Sequence, residues 1–205
     1  SASHPRSLSD IEELESTILE NISIVQQYQS GLEAMLLSSR PPEETVTIYF
    51  KLGKLNEVYG HYEKANDFYQ TLVSHYPRHP QTTQALFNMA EIYRLHLNEV
   101  TSARETYDQF TAFYPGSELC FPAYVRSGQL AIREHDWDAA IRNFRHAIDH
   151  SPTHAMCDDL HILIAEIQAI QLNQPARAKQ QYLRLMERFP QSEWRQFAET
   201  MIDND

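Results

Sequence analysis

Between residues 46 and 190 the apolar and small residues recur in a fixed frame. Four prolines, Pro77, Pro115, Pro152 and Pro190, stand 38, 37 and 38 residues apart. Twelve residues before each proline is an alanine: Ala65, Ala103, Ala140 and Ala178. Four residues after each alanine comes an aromatic ring: Tyr69, Tyr107, Phe144 and Tyr182. Twelve or thirteen residues before each alanine lies another small residue, Gly53, Ala90, Gly128 or Ala165, with Tyr49, Leu86, Tyr124 or His161 four positions earlier. Each unit therefore predicts two helices separated by a short turn and closed by a proline that cannot continue the second helix. Small residues facing each other let antiparallel backbones approach closely, and the rings fill the space between successive pairs.

The flanks read differently. Residues 8 to 39 predict one long helix, opened by a capping box of Ser9 and Glu12 and ended before Pro41 and Pro42. Ile11, Leu14, Ile18, Val25, Tyr28, Leu32 and Met35 follow alternating steps of three and four, with Asn21 at the remaining seam position, the pattern of a two-stranded coiled coil. Leu19, Ile22, Ile24, Leu36 and Leu37 widen the stripe, so lengthwise packing on the first repeat is the competing reading, and Gly31 is a potential break. After Pro190, Ser192 is a candidate N-cap for a helix to about Asp203 with Trp194, Phe197, Ala198 and Met201 on one face. A closing helix of this kind covers the apolar face of a last repeat.

The frame resembles the tetratricopeptide repeat (TPR), whose usual length is about 34 residues. The longer period here requires extended helices or extended turns between units. The resemblance implies an all-α, right-handed TPR-type solenoid. Residues 1–45 form an acidic helical segment, and four repeats lie at about 46–78, 79–116, 117–153 and 154–190. Residues 191–205 are the closing cap. The endings from Tyr76 to Pro80, Tyr114 to Ser117 and Phe189 to Ser192 look like those of the TolA-binding cell-division coordinator and of the TPR lipoproteins of outer-membrane assembly. That likeness implies a periplasmic or outer-membrane-associated place, with the cytoplasm as the alternative. The TolA-binding family also carries a coiled coil ahead of its repeats, which favours homo-oligomerisation through the first helix.

Composition narrows the function. Net charge is −11, with residues 1–45 alone carrying −6, which disfavours nucleic acid and anionic lipid as partners. No run of 18 apolar residues occurs, so no membrane insertion by a helix is expected. The opening Ser-Ala-Ser-His-Pro-Arg lacks the apolar core of a signal peptide and an initiator Met, which leaves room for a leader or anchor already removed. Cys120 and Cys157 occupy the same place in neighbouring units. Packed helices lie about 8–10 Å apart, too far for a bridge, so both are expected as free, buried thiols. His146 and His150, with Asp149 and His154, are the best metal cluster, yet they lack a metalloprotease-type motif and suit a solvated face equally well. No phosphate loop, nucleophile elbow or carboxylate pair appears, so neither enzyme activity nor a cofactor is expected.

The remaining reading is a protein or peptide partner. First helices of stacked pairs line a concave face, and three positions before each small residue stand Phe50, Phe87, Val125 and Ile162. Lys51, Lys54, Arg94, Arg126, Gln129 and Arg133 flank this apolar ladder. A partly basic groove of this kind suits a peptide with acidic groups. The alternative buries the ladder between helices and pairs the bases with Glu57, Glu91 or Glu134. The Lys and Asn clamp of chaperone-binding TPR domains is absent, since the matching positions read Lys54, Glu91 and Gln129.

Overall fold

The computed structural model describes residues 8–203, with side chains from residue 21 onward. Among the described residues every regular element is helical: α1 (Leu8–Leu36), α2 (Pro42–Val58), α3 (Tyr62–His75), α4 (Pro80–Ile92), α5 (Val100–Phe113), α6 (Cys120–Arg133), α7 (Trp137–His150), α8 (Cys157–Glu166), α9 (Pro175–Arg188) and α10 (Arg195–Asp203). They fall into two compact units, one ending at Ala85 and the other starting at Leu86, within α4.

In the first unit, α1 runs unbroken through Gly31 and stops at Leu36, short of the expected residue 39. Ser38 Oγ and Arg40 Nε both donate to the Met35 carbonyl, at 3.1 and 2.7 Å, and cap that end. Leu32 is buried with Ile48 and Leu52, beside Leu36 and Phe68. Ile22, Ile24 and Tyr28 are exposed, so among the described side chains of α1 the buried contact with α2 comes from its last turns. The capping box at Ser9 and Glu12 and the seam positions Ile11, Leu14 and Ile18 lie outside the residues with described side chains. A Cβ on Gly53 would stand 2.3 Å from the Tyr69 ring, so α2 and α3 meet at a separation only glycine permits.

In the second unit the same device recurs at Gly128, where a Cβ would stand 2.5 Å from Phe144. Phe121, Val125, Phe144, Ile148, Leu160 and Ile164 belong to the central core of this unit. Ile162, Tyr182 and Leu185 form a second core with Ala198 of α10, flanked by Trp194, Met201 and Ile202. Trp194 Nε1 donates to Asp159 at 2.7 Å, and Ser192 Oγ accepts from the Trp194 N–H at 3.2 Å.

The uneven period has a local cause. Where the small residue and the alanine are thirteen apart, the first helix ends in a π-helical turn, Tyr93–Leu97 after α4 and Ile167–Gln171 after α8. Where they are twelve apart, in the pairs α2/α3 and α6/α7, the helix ends without one. A π turn widens each hydrogen-bonded ring by one residue and so absorbs a single insertion without breaking the helix. The turn that follows always places one residue in the left-handed region, five positions before the alanine: Gly60 (φ 76°), Asn98 (53°), His135 (59°) and Asn173 (49°). The extra length over an ordinary repeat sits between pairs, in segments of six residues at 114–119, 151–156 and 189–194.

Those connecting segments share a second device. His79 Nδ1, Ser117 Oγ, His154 Nδ1 and Ser192 Oγ each accept the backbone N–H two residues on, at 3.1 to 3.2 Å. Three residues after the first three of these, Thr82 Oγ1, Cys120 Sγ and Cys157 Sγ donate to the carbonyl six residues earlier. Both cysteines are buried free thiols doing the work of a threonine hydroxyl, and burial pushes both thiols above their ordinary pKa.

Candidate interaction site on the first helices

In the first unit, the side chains expected in the groove are not gathered. Phe50 is half-buried against Tyr69, with ring centroids 5.9 Å apart. Lys51 is exposed and faces a cleft of about 480 Å3 whose walls include Tyr28, Leu32 and Met35 of α1 and Ile48 of α2. Lys54 pairs with Glu57 at 3.1 Å, and Glu57 also accepts from the Tyr69 hydroxyl at 2.9 Å.

In the second unit, Phe87, Val125 and Ile162 are 7%, 5% and 3% exposed. The apolar ladder is therefore a layer beneath the surface and not an open strip. Phe87 packs edge-on against Tyr107 and Phe110 of α5, with ring centroids 5.9 and 5.5 Å apart.

What reaches the surface above Phe87 is polar. The Arg126 guanidinium of α6 sits 5.0 Å from the centroid of the Phe87 ring, a cation–π contact between neighbouring first helices. Arg126 Nη1 stands 2.9 Å from Glu91 Oε1 as an ion pair without hydrogen-bond geometry. Arg94 Nη2 reaches the other oxygen of Glu91 at 2.8 Å, and the Tyr107 hydroxyl donates to Oε1. Burial pulls the pKa of Arg126 down, with Glu91 opposing and Arg94 adding to the fall. Gln129 and Arg133 lie farther along α6 and are exposed, and Arg133 Nη2 donates to the Asn98 side chain at 3.0 Å.

Glu91 organises this cluster and was not among the expected site residues. Its signal was present as a reversed pair, because Lys54 and Glu57 in the first repeat become Glu91 and Arg94 in the second. In both, the carboxylate also receives the repeat tyrosine, Tyr69 or Tyr107. Exposed apolar residues were missed as well. Five positions after the small residue stand Val58, Leu95, Arg133 and Ile170, and the three apolar ones are 75%, 55% and 72% exposed, Leu95 and Ile170 within the π turns.

The histidine cluster takes structural roles. His146 meets the Tyr124 ring at 5.2 Å, His150 Nδ1 lies 3.0 Å from Ser151 Oγ, and His154 stacks on Phe121 at 3.7 Å. Among the described residues no three His, Cys, Asp or Glu side chains gather as a metal site. No described helix is long and apolar enough to cross a membrane.

Comparison with known proteins follows the frame. A family model for the tetratricopeptide repeat matches residues 48–79, 84–117 and 163–192. No curated protein matches the sequence. Among solved structures, the MamA protein is 19% identical over 78% of this chain and 80% of its own, with a TM-score of 0.56. A tetratricopeptide repeat protein from Parabacteroides merdae is 18% identical over 94% of this chain and 71% of its own, with a TM-score of 0.57. YrrB, described as a TPR protein with an unusual peptide-binding site, is 14% identical over 90% of this chain and 88% of its own, with a TM-score of 0.54.

Proposed function

Since this chain belongs to the tetratricopeptide repeat proteins, with the TPR-type α-solenoid fold, we propose that it is a noncatalytic scaffold that holds a partner protein or peptide on the first-helix face of its second unit. The observation that carries this reading is Arg126, held over Phe87 and ion-paired to Glu91 while 30% of its side chain stays open. A guanidinium fixed in that way pays little entropy on meeting a carboxylate or carbonyl, which is the condition for an anchor. Gln129 and Arg133 extend the polar contact along α6, and Leu95 and Ile170 offer apolar contacts at the same repeat position as Arg133. A partner segment mixing acidic and apolar residues fits this surface. YrrB's described peptide-binding site is in keeping with it, and the repeat endings favour a bacterial cell-envelope assembly over the cytoplasm as its setting.

The test is capture of the partner by immobilised wild-type chain against Arg126→Glu combined with Arg133→Glu. Loss of the captured protein with unchanged helix content supports the reading. Equal recovery removes the site. A second reading, self-association through α1, rests on the exposed Ile22, Ile24 and Tyr28. Light scattering decides it, since a mass of one chain at high concentration eliminates that reading.

A further inference from the structure

A second cleft, of about 690 Å3, opens among α7, α8 and α9, away from the residues of the first-helix site. Its floor is buried: Ile148, His161 and Gln181 are 3%, 4% and 3% exposed. Arg145 of α7 and Arg184 and Arg188 of α9 stand around it. Among the described residues none of these three arginines forms an ion pair, although Asp149 and Glu187 line the same cleft. Arg184 and Arg188 lie one helical turn apart, where like charges repel. With the Gln168 amide turned so that both its atoms are satisfied, its oxygen accepts from Arg145 Nη2 at 3.3 Å and steadies that guanidinium.

His161 adds a second demand. Its Nδ1 lies 3.0 Å from Gln181 Oε1, which keeps the ring proton on Nδ1. Nε2 is then a lone pair, and it is buried with no hydrogen-bond partner among the described residues. A buried acceptor in this state calls for a donor from outside the chain.

The preceding repeat supplies an internal comparison. The cleft among α5, α6 and α7 holds Asp108, Tyr124, Asn143 and His146 where the other has Arg145, His161, Gln181 and Arg184. There the polar groups close on one another: Ser127 Oγ donates to Asp108 at 2.7 Å and Asn143 to Ser127 at 3.0 Å. Arg104 is paired with Glu134 and Asp136 at 3.0 and 2.8 Å. In the later cleft the acid is replaced by an arginine and Ser127 by Ile164, so among the described residues no acid and hydroxyl close a matching network.

We propose that the cleft among α7, α8 and α9 binds a phosphate group, gripped by Arg145, Arg184 and Arg188, with His161 Nε2 facing a protonated phosphate oxygen. Guanidinium forks match phosphate oxygens in pairs. A carboxylate satisfies the arginines but brings no proton to Nε2, whereas phosphate keeps a proton-bearing oxygen around its second ionisation, near about 6 for a monoester. The site does not depend on the first-helix reading.

Calorimetry on the full chain at slightly acid pH, with sodium phosphate against sodium chloride at equal ionic strength, tests it. Saturable phosphate binding is expected, weakened about tenfold or more by Arg184→Gln and by Arg145→Gln, each removing one charge-assisted contact. Both residues are exposed, so these variants keep the fold, as circular dichroism checks. Sulfate, which carries no proton there, binds more weakly. No binding beyond chloride, unchanged affinity in the variants, or sulfate equal to phosphate overturns the proposal. A glycyl-phosphoseryl-glycine arm separates the sources. Tighter binding than inorganic phosphate supports the site as a receptor for a phosphorylated protein segment, and weaker binding supports it as a receptor for a free phosphate compound.

Discussion

Gly128 and Gly31 are both helical glycines and are under opposite constraints. A Cβ at Gly128 meets the Phe144 ring at 2.5 Å, whereas one at Gly31 meets nothing within 4 Å. Gly128→Ala is expected to lower stability by about 1–3 kcal/mol through overpacking. Gly31→Ala is expected to raise it by about 0.5–1 kcal/mol by relieving the helix-interior penalty. Paired urea titrations check both, and equal effects contradict the close-approach argument. His161 sets a pH dependence. Burial holds its imidazole below the ordinary 6.5, with the Gln181 hydrogen bond opposing and Arg188 and Arg184 reinforcing the fall. Below 6.5 the unfolded chain takes up a proton that the folded chain does not, so stability drops as pH falls through that value and is flat above it. The urea midpoint of wild type should fall more between neutral and mildly acid pH than that of His161→Gln, and parallel falls contradict the assignment. At this scale the frame was readable because Gly53, Gly128 and the four rings announce close packing by their size. The cap formed by His79, Ser117, His154 and Ser192 was not, because two unlike side chains fill one role by each offering a single acceptor atom.

Helices and turns explain the period that the prolines only display. The two 38-residue intervals are the ones that contain a π turn, and the 37-residue interval has none. Deleting the exposed Ile170 should therefore restore the spacing of the α6/α7 pair and leave α8 an ordinary helix, with little loss of helical signal. The matching deletion of Arg133 shortens a pair with no residue to spare and should unfold it. Circular dichroism and thermal melts of both deletions check this, and equal loss contradicts it. The turns carry a related expectation. Asn98→Val puts a β-branched residue at φ 53°, and is expected to destabilise by about 1–2 kcal/mol, whereas Asn98→Gly should be nearly neutral. Gly60, Asn98, His135 and Asn173 occupy one register, and glycine, asparagine and histidine all tolerate left-handed backbone better than most, so this position was legible in principle. The end of α1 was less so, since the Met35 carbonyl in its last turn is capped by Arg40 from beyond the helix and no local pattern marks that.

At the scale of the molecule, the helical repeat class followed from spacing alone, but the surface it presents did not. Spacing placed Phe87, Val125 and Ile162 on one helix face, and their burial depends on how closely second helices approach from outside that face. This changes which substitutions test binding. Phe87→Ala removes a ring packed on Tyr107 and Phe110 and is expected to destabilise by about 3–5 kcal/mol, so loss of binding in that variant would report unfolding. Arg126→Glu leaves the core intact and reverses the charge above it, and should weaken an acidic partner by about tenfold or more. Site-specific photo-crosslinking in living cells tests the central claim most directly, with the reactive amino acid replacing Gln129 on α6 in one strain and the exposed Leu183 on α9 in another. A discrete adduct to one partner protein from position 129, lost with Arg126→Glu and absent from position 183, is the expected result. Adducts from position 183 alone, or none from 129, would contradict a scaffold that works through its first helices.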